Sequence, residues 1–195
     1  MNIIPSVAQL RLRLLPLSLG LLFGASLPAA TAPKPALDLQ NGDTMVFAGD
    51  SITHQSLYTQ YVEDFFYTRY PERRIHFHNA GVGGDRAADV LARFDDDVAL
   101  CQPKYVTVLL GMNDGQYEDF KPEIFATYAN DMARVFEKIK SLGATAILLS
   151  PTMFDYPVFD RRKDDATYRF RTAPRSPHYN AVLAYYGAWG REQAA

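Results

Sequence analysis

Three short stretches of this 195-residue chain hold residue types that acyl transfer could use: a hydroxyl at Ser51, a backbone N–H without a side chain at Gly84, and a neutral carboxamide at Asn113. A serine hydroxyl becomes a nucleophile when a neighbouring base accepts its proton. Glycine N–H groups and amide side chains can donate to the carbonyl oxygen that turns negative as a tetrahedral intermediate forms. Gly49-Asp50-Ser51 alone is weak evidence, since a serine there could do no more than start a helix. Its weight depends on whether the fold brings the other two stretches to it.

The surrounding elements lead to that expectation. Thr44 to Ala48 is an apolar strand that runs into Gly-Asp-Ser. From about Gln55 to Tyr70, Leu57, Tyr61 and Phe65 with Tyr58, Val62 and Phe66 recur at three and four, the stripe of an amphipathic helix packed on a sheet, and Pro71 stops it. Arg74 to Asn79 alternates as a second strand, and three glycines follow in four residues at Gly81, Gly83 and Gly84. A helix then carries Val90, Leu91, Phe94 and Val98.

Tyr105 to Leu110, between Pro103 and Gly111, is a central parallel strand. Pro122 opens a third helix with Phe125, Tyr128, Met132, Val135, Phe136 and Ile139 on one face and Gly143 as its stop. Ala144 to Leu149 is strand four, Asp155 to Pro177 a polar insertion read as a solvated loop or a substrate-contacting lid, and Tyr179 to Ala195 a last helix. Alternating strands and helices require right-handed crossovers and a parallel sheet covered on both faces. The loops after strands one, two and three then emerge at one sheet edge, bringing Ser51, Gly84 and Asn113 together.

Composition suits one α/β domain, with 48% hydrophobic and 22% charged residues. Residues 1–32 read as a secretory signal peptide: no acid, Arg11 and Arg13, an apolar run from Leu14 to Leu27, and the small-x-small pattern Ala30-Thr31-Ala32. The run is too short for a span and is interrupted by Pro16 and Ser18, so no stable membrane span is expected after cleavage. A short linker, residues 33–43, leads to the domain at 44–195, and the location expected is secreted or periplasmic.

Without the leader, 18 basic and 22 acidic residues leave a charge of −4, which gives no reason to expect nucleic acid as a partner. Cys101 is the only cysteine, read as a buried thiol beside Leu100. His76 and His78 share one strand face but lack further ligands at a recognisable spacing, so no metal is assigned. The glycine cluster lacks the third glycine of a dinucleotide loop because Arg86 stands there, and no cofactor is expected. Asp95-Asp96-Asp97 reads as a solvated helix face.

In order along the chain, Gly49-Asp50-Ser51-Ile52, Asn79-Ala80-Gly81-Val82-Gly83-Gly84-Asp85 and Gly111-Met112-Asn113-Asp114 resemble the first three sequence blocks of the SGNH (GDSL-type) hydrolases. The resemblance covers roughly Thr44 to Pro151. It implies a flavodoxin-like three-layer α/β/α sandwich with strand order 2-1-3-4-5. It also implies that Ser51 attacks an ester carbonyl, with the oxyanion held by the N–H groups of Ser51 and Gly84 and the Asn113 amide. Secreted relatives commonly deacetylate polysaccharides, so the resemblance points to a carbohydrate or other small acyl ester.

One block of that family is missing. Its general base is the histidine of an Asp-x-x-His near the C-terminus, whereas the residues three before His54, His76, His78 and His178 are Ser51, Arg73, Ile75 and Arg175. The expectation is therefore a C-terminally truncated member that lacks its last strand and is nearly inactive as it stands. His178 is the alternative base, and the rival class is a non-catalytic fragment or a carbohydrate-binding domain that keeps the fold.

Overall fold

The computed structural model describes residues 37–169 and 175–194. The expected leader and residues 33–36 of the linker lie outside the described residues. Four parallel strands, β1 (Thr44–Gly49), β2 (His76–Gly81), β3 (Tyr105–Leu109) and β4 (Thr145–Leu148), form one sheet in the order β2-β1-β3-β4. Helices α1 (Ser51–His54), α2 (Leu57–Arg69), α3 (Ala87–Asp97), α4 (Pro122–Ser141), α5 (Tyr156–Arg162) and α6 (Tyr179–Gln193), with a 3-10 turn at Ala99–Cys101, complete the described elements. None is long and apolar enough to cross a membrane.

The period of two in β1 divides the core between the two sheet faces. Val46 and Ala48 join Val106 and Val108 of β3 against α3, α4 and α6, which contribute Val90, Phe94, Met132, Val135, Val182 and Leu183. Met45 and Phe47 point the other way, into a smaller cluster with Leu39, Phe66 and Ile75. Pro122 sits at the start of α4 as expected, because its missing N–H costs nothing in the first turn. Tyr128 of α4 stacks on Tyr186 of α6 with ring centroids 4.4 Å apart, joining the two helices on the larger face.

Four sequence expectations need correction. The second strand is His76–Gly81, two residues later than Arg74–Asn79, because pairing with β1 continues through Ala48↔Ala80 and Gly49↔Gly81. Half of the α2 stripe is also reversed: Phe66 is buried and Tyr58 and Val62 pack beside it, while Leu57, Tyr61 and Phe65 are exposed. Ser56, with φ 63°, breaks the chain between α1 and α2. Thr59 then faces inward, where its hydroxyl donates to Ser56 O at 3.1 Å and lies 3.3 Å from Asn79 Nδ2, and the row of Tyr58, Val62 and Phe66 packs on the sheet.

Cys101 is half-buried rather than buried, in a 3-10 turn (Ala99–Cys101) that turns Leu100 outward and leaves Val98 as the core residue. Finally, the polar insertion contains α5. Asp155 caps it by accepting from Val158 N at 3.1 Å, Pro157 lies in its first turn, and Phe159 is buried. The Asp95–Asp97 run lies on a solvated helix face as expected, with Asp95 paired to Lys138 and Asp97 to Arg93.

Candidate active site

The end of β1 places Ser51. Asp50, in extended conformation and almost fully buried, caps α1 by accepting from Ile52 N through Oδ1 at 2.9 Å. Ser51 is thus the first residue of a helix, where its own backbone N–H has no partner within the helix. The next turn crosses tightly over β2, since a β-carbon on Gly81 would stand 2.4 Å from His54 N. Only glycine lets α1 approach this closely, so Gly81 sets the height of Ser51 above the sheet.

Gly84 follows β2 with φ +92°, a left-handed conformation suited to glycine, and the space beside its α-carbon is open. The next residue anchors the loop. Asp85 Oδ2 accepts from Arg93 Nε at 2.8 Å, and Arg93 Nη2 donates to Ala80 O at 2.7 Å, so α3 holds both the loop and the end of β2. Burial raises the Asp85 carboxyl, and the Arg93 guanidinium opposes the rise without cancelling it.

Asn113 joins the other two loops. Its Nδ2 donates to Asp85 O at 2.9 Å and to Asp50 Oδ2 at 3.3 Å, while its Oδ1 accepts from Tyr117 O–H at 3.1 Å. One carboxamide therefore touches the residue before Ser51 and the residue after Gly84. The longer bond is the weaker and the more easily exchanged. Burial, reinforced by the Asp85 charge, raises the Asp50 carboxyl despite the bond from Ile52. Asp114 fixes the same loops from below, accepting from Ala87 N at 2.8 Å and Gly111 N at 2.9 Å. Burial nevertheless pushes its carboxyl up to about 6.

The three residues named from the sequence lie just beyond the ends of β1, β2 and β3, where the connections meet. No histidine among the described residues is hydrogen-bonded to Ser51: His54 Nδ1 pairs with Gly81 O at 3.1 Å, and the backbone N of His178 donates to Ser176 Oγ. His76 and His78 are both exposed on one face of β2, and no three His, Cys, Asp or Glu side chains among the described residues converge as a metal site. The sequence reading missed Asp50, Arg93, Asp114 and Tyr117 as members of the site. The first and third stand beside the named residues in Gly-Asp-Ser and Asn-Asp, which was a usable signal; Arg93 and Tyr117 have no local mark.

The model of the GDSL-like Lipase/Acylhydrolase family matches residues 47–193, which include all of this geometry. The chain belongs to that family. An acetylxylan esterase of Geobacillus stearothermophilus is 29% identical, with the match covering 40% of this chain and 42% of that enzyme. The chain thus aligns with about two fifths of this curated relative.

Solved structures show the same fold. The crystal structure of an acetylxylan esterase from Geobacillus stearothermophilus has a TM-score of 0.54 at 24% identity, over 80% of this chain and 76% of that one. A gut microbial diltiazem-metabolizing enzyme has a TM-score of 0.65 at 23% identity, covering 82% of this chain and 36% of that one. Variants of the Geobacillus esterase described as catalytic mutants replace a serine in one case and a histidine in the other.

Proposed function

We propose that this chain holds the nucleophile and oxyanion hole of a serine ester hydrolase that removes small acyl groups, with acetylated carbohydrate as the substrate class. The observation that supports it best is the Asn113 carboxamide, hydrogen-bonded to both Asp50 and Asp85 and so held between the Ser51 and Gly84 loops. In this reading Ser51 Oγ attacks the ester carbonyl carbon and gives up its proton to a base. The carbonyl oxygen becomes an oxyanion that accepts from the N–H groups of Ser51 and Gly84 and from Asn113 Nδ2. Collapse expels the alcohol, protonated by the conjugate acid of the base, and water then releases the acid from the acyl-enzyme by the same steps reversed.

The base is assigned to an Asp-x-x-His element, a pattern that none of the four histidines present satisfies. The acetyl-carbohydrate preference is supported by the acetylxylan esterase relative. Export through the leader at 1–32 remains part of the proposal, and N-terminal sequencing of the secreted protein would test it.

The absence of a histidine bonded to Ser51 among the described residues favours a second reading, a carbohydrate-binding protein that has kept the fold without catalysis. A fluorophosphonate probe discriminates the two when applied to a form extended to include Asp-x-x-His: labelling that disappears in Ser51→Ala supports the hydrolase. Labelling that survives the substitution refutes Ser51 as nucleophile, and an extended form that neither labels nor hydrolyses p-nitrophenyl acetate supports the binding protein. The 195-residue chain alone is expected to hydrolyse that ester at close to background, because a protonated serine is a poor nucleophile.

A further inference from the structure

Tyr117 belongs to none of the three sequence blocks, yet its environment is costly to build. Gln116 and Tyr117 adopt φ 57° and 60°, two consecutive left-handed residues with side chains, each unfavourable by about 1–2 kcal/mol. Such strain persists only where surrounding contacts impose it. Here Ser176 N donates to Tyr117 O at 2.8 Å, the ring packs on Tyr179 and Phe154 at centroid distances of 5.1 and 5.4 Å, and the Arg175 guanidinium lies 3.7 Å above it. Residues of the segments that follow β4 thereby pack against the loop after β3.

All of this aims one hydroxyl at one acceptor, Asn113 Oδ1. Burial raises the Tyr117 phenol, so its oxygen keeps its proton at neutral pH and is a donor. The opposite end of the amide faces two oxygens that can only accept from it, Asp50 Oδ2 and Asp85 O. A flipped amide would set oxygen against those oxygens and an N–H₂ group against the phenol.

We propose that Tyr117 is a positioning residue: its O–H, donated to Asn113 Oδ1, keeps Nδ2 turned toward the Ser51 and Gly84 loops, where an oxyanion would form. This rests on the reading of Asn113 as an oxyanion donor. Tyr117 touches no reacting atom, so its removal should be felt through Asn113 alone. The loss of one neutral hydrogen bond corresponds to about 5- to 10-fold, well below the roughly 10²- to 10³-fold expected when the donor itself is deleted.

The first test does not depend on turnover. In the 195-residue chain labelled with ¹⁵N, the two Asn113 carboxamide protons should give separate, slowly exchanging signals, and Tyr117→Phe should speed their exchange by about 5- to 10-fold while backbone signals away from the loop stay in place. Unchanged exchange would overturn the proposal. The second test uses the form extended to include Asp-x-x-His: Tyr117→Phe lowers kcat by about 5- to 10-fold with KM unchanged, and adds nothing in the Asn113→Ala background. An additive effect would mean that Tyr117 does not act through Asn113. If Asn113→Ala leaves kcat intact, the oxyanion reading fails, while the exchange measurement still decides whether Tyr117 sets the amide.

Discussion

Asn113→Asp tests the geometry of the site without requiring catalysis. The substitution keeps the shape of the side chain and the oxygen that accepts from Tyr117, but puts a carboxylate oxygen where Nδ2 stands, 3.3 Å from Asp50 Oδ2. Two unit charges at that distance repel by about 5 kcal/mol at an effective dielectric constant of about 20. The pair can escape by taking up one proton, which costs about 1.4 kcal/mol for each pH unit above the unfolded carboxyl value of about 3.9. That is about 1.5 kcal/mol at pH 5 and about 5.6 kcal/mol at pH 8, and the smaller of repulsion and protonation governs.

The folded pair therefore has a raised pKa, so the variant keeps its stability at low pH and loses it as pH rises. Relative to the unsubstituted chain it should be destabilised by about 1.5 kcal/mol at pH 5 and about 5 kcal/mol at pH 8, read from urea denaturation midpoints. Asn113→Ala serves as the control, removing the donor without adding charge and destabilising by a similar amount at both pH values. An equal destabilisation by Asn113→Asp at pH 5 and pH 8 would show that Asn113 does not face the Asp50 carboxylate, and the convergence of the loops would have to be abandoned.

Gly81→Ala should cost about 3 kcal/mol or more and displace Ser51, because the new methyl group meets the backbone at His54 N, whereas Gly83→Ala, which meets nothing within 4 Å, should stay within about 0.5 kcal/mol; thermal unfolding separates the two. Asp114 is raised from 3.8 to about 6 on folding, so the folded state binds the extra proton and stability falls by about 3 kcal/mol as pH rises through that window. Asp114→Asn should flatten this part of the stability profile, and an unchanged slope between pH 4 and pH 7 would count against the shift. Phe66→Ala should cost about 3–5 kcal/mol and Tyr61→Ser less than about 0.5 kcal/mol, because only the first of the two is buried.

Much of the scaffold was legible because its signals are local. Pro122 at the start of α4, the β-branched run of β3 and the apolar strand ahead of Gly-Asp-Ser each state their own structure within a few residues. Right-handed crossovers then leave few ways to arrange such elements. The α5 helix was missed although Asp155 and Pro157 announce it, because its surroundings are so polar that the segment reads as loop.

The sequence by itself determined the α/β class, the order of the four strands and the three strand ends beyond which Ser51, Gly84 and Asn113 lie, since each follows from periodicity and from residue types read a few positions at a time. Only the tertiary structure decided which side of α2 is buried, because helical periodicity offered two adjoining apolar rows and packing against Leu39, Met45, Phe47 and Ile75 takes the row of Tyr58, Val62 and Phe66. It also decided how the site is held. Arg93 reaches Asp85 and the end of β2, and Tyr117 orients Asn113 under a ring packed on residues from beyond β4. Those contacts depend on distances that no local pattern encodes, because a hydrogen bond forms wherever the fold brings donor and acceptor within about 3 Å, whatever their separation along the chain.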